Sequence, residues 1–384
     1  MCHNNIMSIF TQSNRHDIKA LKSADLAAFL ASLEQPPYRA QQIEHWLYSP
    51  GCMLSGFDEM TNLPQLLRTR LAETCTLSVP TVERRLLSSD GTRKYLLRFD
   101  DGSCVECVGI PEEHSSETNT NICSERLTVC VSSQVGCAMG CVFCATGHNG
   151  LRRSLVVGEI MDQLRIVYQD FRQDFGEDVR ITNVVAMGQG EPFANYDAVL
   201  AAFRLMNNPR LWGIGARHLT VSTCGLLSAI RRFSTEPEQF TLAVSLHSAV
   251  QKTRDLLIPR LATQPLEKLY DVLLEYMAAT GRRVSLEYIL IHAINDTDED
   301  LNALISFCSN KHHTKGSGMG RTGPGFHVNL IPLNDIDHLD WKPSTSLRVS
   351  AFKKGLQRAG IETSVRVSRG ADIAGACGQL AGTK

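Results

Sequence analysis

Apolar and polar positions change period twice along the chain. Between residues 17 and 74 the spacing is helical. Leu26, Phe29, Leu30 and Leu33 share one face after Ser23, a capping-type residue, and Pro36-Pro37 stops that helix. A second helix opens at Tyr38 with Ile43, Trp46 and Leu47 on one side, and a third is expected over Leu63–Leu71. These make a small helical accessory domain, residues 1–78. Over 79–112 the period falls to two, and Arg93 to Ile110 predicts two strands around a tight Asp101-Gly102 turn, a short β-hairpin adaptor. A polar insert, 113–126, reads as an exposed loop. From Leu127 strand and helix alternate. Strands are expected at Leu127–Ser133, Ile181–Met187, His218–Thr223, Thr241–Leu246, Val284–Ile291, His327–Leu333 and Glu362–Val367, with helices such as Val157–Phe171 between them. Such alternation implies an α/β fold, a partial (open) parallel β/α barrel over 127–384, with reacting groups at the carboxyl ends of its strands.

Composition narrows this picture little. With 43% hydrophobic and 21% charged residues over 384, the chain is ordinary globular protein rather than disordered. A formal net charge of −1 provides no overall pull toward nucleic acid or an anionic membrane, so RNA binding would rest on local patches. Thirteen cysteines is an odd number with no secreted disulfide spacing, which points to a reducing compartment. No apolar run is long enough to span a membrane, and Met1–Asn14 has neither a signal nor a transit pattern. The expected location is the cytoplasm.

The chemistry concentrates in Q-V-G-C-A-M-G-C-V-F-C-A-T-G-H, residues 134–148, which sets Cys137, Cys141 and Cys144 in a C-x3-C-x2-C run. A structural zinc site wants a fourth ligand from a second Cys or His pair, and none follows within about fifty residues. Three cysteines on a [4Fe-4S] cube leave one iron open to a small-molecule chelator. The spacing resembles that of the radical-SAM superfamily, in which the open iron binds S-adenosylmethionine (SAM). Met187-Gly-Gln-Gly-Glu-Pro then closes the next strand. Its glycines let a ligand approach the backbone, and Glu191 supplies an acceptor for an ammonium or a ribose hydroxyl. Ser222-Thr-Cys-Gly, Ser245-Leu-His-Ser and Asn334 put further polar groups on the same rim. Cys104 and Cys107 point to opposite faces of one strand and read as ordinary thiols. Cys377, among glycines and alanines after the last strand, reads as an exposed reactive thiol within reach of the barrel mouth. Cys130, in a strand ending at that mouth, reads equally well as a buried strand thiol.

V-C-V-S-S-Q-V-G-C-A-M-G-C-V-F-C-A-T-G, M-G-Q-G-E-P, V-S-T-C-G, S-L-H, V-N-L-I-P-L-N and R-G-A-D-I-A-G-A-C-G-Q-L occur in this order. In that, and over roughly Tyr38–Gly382, the chain resembles the radical-SAM RNA adenine methyltransferases. These are the dual-specificity C2-methylating enzymes of 23S rRNA and tRNA, with a C8-methylating resistance relative. The resemblance implies a [4Fe-4S] cluster on Cys137, Cys141 and Cys144. It implies SAM contacts at Gly190, Glu191, Ser222, Ser245, Leu246, His247 and Asn334. It further implies that Cys377 takes a methyl group from one SAM, and that a radical from a second SAM activates that S-methyl to add to the adenine. Cys130 would resolve the protein–RNA adduct through a transient disulfide with Cys377, and Glu106 would accept a proton. The implied partners are 23S rRNA, tRNA and a low-potential flavodoxin-like or ferredoxin-like electron donor, with no membrane. Gln189 and Cys224 depart from the methionine and serine common at those places, Asp335 replaces the usual proline, and two loops are lengthened at about His114–Glu125 and His312–Gly325. Arg152-Arg153, Arg282-Arg283 and the N-terminal helices are the candidate RNA surfaces. Two other readings compete: a C8-directed enzyme with the same catalytic residues, and a non-methylating iron–sulfur electron carrier or sensor, which would normally use four protein ligands.

Overall fold

The computed structural model describes residues 15–112, 126–309, 325–336 and 339–382. The two lengthened loops lie outside this set, apart from Gly325.

Three helices, Ser23–Ser32, Tyr38–Tyr48 and Gln65–Thr74, form the N-terminal unit. The expected apolar faces are the buried ones: Leu26, Phe29 and Leu30 on the first, Ile43 and Leu47 on the second. Two details differ from expectation. Ser23 is the first helical residue rather than the cap, which is Lys22 with no side-chain hydrogen bond. The third helix starts after Pro64, because proline is accommodated at a helix start but not inside one. A short parallel pair, His16–Asp17 with Cys75–Thr76, closes the unit.

Among the described residues the central sheet has ten strands. We label them β1 (Thr81–Leu87), β2 (Arg93–Arg98), β3 (Cys104–Pro111), β4 (Arg126–Cys130), β5 (Arg180–Ala186), β6 (Leu219–Thr223), β7 (Thr241–Ser245), β8 (Ser285–Leu290), β9 (His327–Pro332) and β10 (Glu362–Val365). They lie in sheet order β10 to β1 without a break in sequence order, so the sheet is an open array. From β4 to β10 every neighbour is parallel, and β1, β2 and β3 extend the β4 edge antiparallel. All seven expected core strands are present, with ends shifted by a few residues. The adaptor has three strands instead of two. β1 is a sheet edge with an almost wholly exposed T-V-E-R-R-L-L sequence, so no apolar alternation marks it.

Val184, Val221, Leu242, Val244, Leu286 and Leu330 are fully buried at the centre of the main core. The helix Val157–Phe175 packs on the sheet at β3 and also anchors the N-terminal unit. There Asp162, Lys19 and Arg165 form a buried ionic triad: Lys19 Nζ pairs with Asp162 and also donates to the Ser78 carbonyl, and Arg165 Nη1 lies 3.0 Å from Asp162 Oδ1. Arg165 Nη2 also donates to the Cys52 carbonyl. No helix among the described residues is long and apolar enough to cross a membrane.

Candidate active site at the carboxyl ends of the strands

The cysteine run forms a loop held at its base by a two-stranded antiparallel ribbon, Gln134–Gly136 with Leu151–Ser154. The sequence reading did not foresee this ribbon, since three- and four-residue strands carry too little periodicity. Gly136 is indispensable to it: its φ is +77°, and a Cβ there would sit 1.8 Å from the Gly150 carbonyl oxygen. The ribbon is pinned to the adaptor by Arg153, which donates to Asp101 (2.6 Å) and to both oxygens of Glu159 (2.7 and 2.8 Å). Arg153 is held as a structural clamp, whereas Arg152 stays exposed. Arg282 is likewise committed, to the Glu238 and Phe240 carbonyls, and Arg283 to Glu362.

Cys137, Cys141 and Cys144 all line one cavity of ≈ 140 Å³ at the mouth of the barrel. Burial pushes the Cys137 thiol up to about 12 and also raises Cys144, so these sulfurs carry charge only when something cationic compensates them. Among the described residues no His, Cys, Asp or Glu trio is set to hold a single metal ion. Three thiols lining one cavity are the donor set a [4Fe-4S] cluster with one open iron would use.

Opposite the cysteines lie the strand ends. Gly190, with φ +99°, passes so close to Gln134 that a Cβ would fall 2.6 Å from its side chain. Glu191 is buried and its carboxyl is raised by that burial, while the amides of Phe193 (3.0 Å) and Cys224 (2.7 Å) donate to its two oxygens. Ser222 and Ser245 line the cavity. His247 does too, in the left-handed conformation (φ 57°), with Phe143 of the cysteine loop edge-on at 4.6 Å between ring centres. Burial, and then the Arg254 guanidinium, push this imidazole down to about 3. The Ile289 amide donates to its Nδ1 at 3.1 Å, so the neutral ring carries its proton on Nε2. Leu246 is different: its side chain is fully buried in the main core, and only its backbone is near the rim.

Behind this cavity is a second, ≈ 210 Å³, which Cys130, Asn334 and Cys377 line. Cys130 is buried; burial foremost, and Cys377 second, push its thiol up to about 12. Cys377 is exposed and belongs to the walls of both cavities. Its segment is tied down rather than loose. Asn334 Nδ2 donates to the Cys377 carbonyl (3.0 Å), Ala145 N to the Gly378 carbonyl (2.8 Å), and Thr146 Oγ1 to the Leu380 carbonyl (2.5 Å). Glu106 completes the tether. One oxygen accepts from the Ala381 and Gly382 amides (2.7 and 2.9 Å), and the other is 2.9 Å from Lys94 Nζ.

The two departures in the strand-end motifs are harmless to this layout. Gln189 is buried, with its side-chain oxygen accepting from the Glu106 amide at 2.8 Å. Cys224 sits 3.8 Å from Cys141, sulfur to sulfur. Cys104 is half-buried and Cys107 fully buried on the adaptor strand, and neither lines either cavity. Two charged wall residues of the first cavity were missed, Glu287 and Arg366. Glu287 had left a signal: a lone carboxylate in the apolar strand S-L-E-Y-I-L.

An open α/β array whose strand ends face a three-cysteine loop defines a radical-SAM enzyme. Residues 131–308 match the radical SAM superfamily, and residues 16–77 match the family described as ribosomal RNA large subunit methyltransferase N-terminal domain. A probable dual-specificity RNA methyltransferase RlmN from Acaryochloris marina is 41% identical over 361 residues, 94% of this chain and 93% of that protein. Another, from Moorella thermoacetica, is 40% identical over 369 residues, 96% and 98% of the two chains. The crystal structure of a radical SAM methyltransferase from Sphaerobacter thermophilus superposes with a TM-score of 0.81 at 38% identity, covering 96% of this chain and all of that one. The chain belongs to the RlmN family.

Proposed function

We propose that this radical-SAM methyltransferase methylates C2 of a specific adenine in 23S rRNA and in tRNA, through an S-methylcysteine on Cys377. The observation that carries the reading is the position of Cys377 on the wall shared by the two cavities, with the cluster loop on one side and Cys130 on the other. Cys137, Cys141 and Cys144 would hold the [4Fe-4S] cluster, which when bound supplies the electron that splits SAM homolytically. Gly190 and Glu191, with Ser222, Ser245 and His247, line the space left for SAM, and Leu246 offers it backbone only. Asn334 acts one step removed, by fixing the Cys377 carbonyl.

A radical route answers a chemical difficulty, since an adenine ring carbon bearing hydrogen cannot attack a SAM methyl directly. In this reading Cys377 carries the methyl group to the second cavity, where the adenine enters, and Cys130 then releases the adduct by forming a disulfide with Cys377. Glu106, which lines neither of these two cavities, would take a proton only once the Ala381 and Gly382 amides let go of it. The electrons come from a flavodoxin-like or ferredoxin-like donor, in the cytoplasm. Mass spectrometry of RNA from cells with and without the gene tests the proposal. 2-Methyladenosine should disappear from both RNA classes when the gene is removed; loss of 8-methyladenosine instead would overturn the regiochemistry.

A further inference from the structure

Past the end of β10 the chain sends one cation into the wall between the two cavities. The Arg366 amide donates to the Leu330 carbonyl (2.8 Å), which fixes its backbone on β9. Its Nη1 donates to Met187 Sδ at 3.5 Å and to Cys377 Sγ at 3.7 Å. The same nitrogen lies 3.8 Å from Glu287 Oε2. Burial works against the guanidinium charge, but the neighbouring Cys377, Glu287 and Cys130 outweigh it and raise the Arg366 pKa. Glu287 is itself buried. Asn329 Nδ2 donates to its Oε1 at 2.9 Å, whereas Oε2 receives no hydrogen bond and has Arg366 as its ionic neighbour. Ser245, Glu287, Asn329 and Ser364 are register partners on β7 to β10, so this carboxylate belongs to a polar tier built across four strands.

We infer that Arg366 is a positioning residue for the Cys377 sulfur, and that Glu287 orients its guanidinium. The inference rests on reading Cys377 as the methyl acceptor. In methyl capture the Cys377 thiol first gives its proton to solvent. The sulfur then forms a C–S bond to the SAM methyl, and the electron pair of the broken sulfonium bond stays on the leaving thioether. A cationic donor 3.7 Å from the attacking sulfur fixes the direction it faces through a charge-assisted contact. Cys130 also feels the Arg366 charge, but it is buried where Cys377 is exposed, and the Arg366 hydrogen bond goes to the Cys377 sulfur.

The test needs no cofactor. Iodoacetamide alkylation of Cys377 in the cluster-free chain, followed by peptide mass spectrometry, should slow about tenfold at neutral pH in Arg366→Gln, recover in Arg366→Lys, and slow about threefold in Glu287→Gln. Equal rates in wild type and Arg366→Gln would overturn the inference. So would equal slowing by Gln and Lys, which would mean packing rather than charge. Far-ultraviolet circular dichroism of each variant checks that it is folded. A separate arm incubates wild type with SAM and looks for methyl on Cys377; its absence would sink the methyl-cysteine reading while the alkylation result still decides the role of Arg366.

Discussion

The cavity under the cysteine loop and the cavity behind the tail share a wall of Met187, Ile331, Arg366 and Cys377, yet different forces hold them. The first is built from strand ends and a backbone ribbon; on its strand-end side His247 is uncharged and backbone amides donate to both oxygens of Glu191, with the Glu287–Arg366 pair the charged exception. The second is closed by a tail segment that side chains tether, chiefly Glu106 from the adaptor, Asn334 from its own wall and Thr146 from the wall of the first. The cluster side is therefore a rigid receptacle and the tail side a fastened door. Loss of the Glu106 tether, which holds the tail from the adaptor, should move Cys377 without disturbing the three cluster cysteines.

The sharpest break of this comparison is Cys141→Ala. With one of three ligands gone, iron content and the visible iron–sulfur absorption should be lost and SAM cleavage should fall to background. Retained iron would mean that another group, with Cys224 the nearest thiol, replaces it. On the tail side, Cys377→Ala should abolish both methylated RNA and any covalent protein–RNA species, while iron content stays at the wild-type level. Cys130→Ala should give instead a protein–RNA band that survives denaturation, because the thiol needed for release is missing. Adduct formation by the Cys377 variant would remove the distinction between the two sulfurs.

Glu106→Gln probes the tether. It exchanges charge-assisted hydrogen bonds for neutral ones, at a cost of about 1–3 kcal/mol. Hydrogen exchange at the Ala381 and Gly382 amides should accelerate, with the amides of the cysteine loop unchanged; equal acceleration on both sides would argue that the cavities open together.

The cluster side should respond to acid through His247. The unfolded chain takes up this proton near pH 6.5, and the folded chain does not until about 3. Stability is therefore lost as pH falls through that window, by up to about 1.4 kcal/mol per pH unit. His247→Asn tolerates the left-handed backbone and should flatten the dependence in urea melts at pH 7 and pH 5. The smallest effect separates neighbouring arginines. Arg152→Glu should weaken RNA binding a few-fold at low salt without changing thermal stability, whereas Arg153→Glu should lower the melting temperature, because it breaks the clamp on Asp101 and Glu159.

The sheet was legible because buried parallel strands leave dense apolar runs, as in V-S-L-E-Y-I-L and H-V-N-L-I-P, and because each ends in a polar rim. β1 was illegible since an exposed edge strand needs no apolar face. At the site, spacing alone marked Cys137, Cys141 and Cys144. No local pattern tells that Arg366, far along the chain, turns toward Glu287, nor that Arg153 faces two carboxylates and Arg152 none. Such pairings depend on which strands become neighbours, and so they emerge only from the assembled sheet.

The buried triad of Lys19, Asp162 and Arg165 bears on how such chains can be cut and recombined. A fragment beginning at residue 79 would keep Asp162 and Arg165 but lose the lysine, and the Cys52 carbonyl that Arg165 uses. Breaking a buried ionic group costs about 3–5 kcal/mol, a large share of a typical folding free energy. The helical unit and the sheet should melt in one calorimetric transition. Exchange of this unit between relatives is constrained less by the connecting segment than by whether the incoming piece brings a cation to meet Asp162.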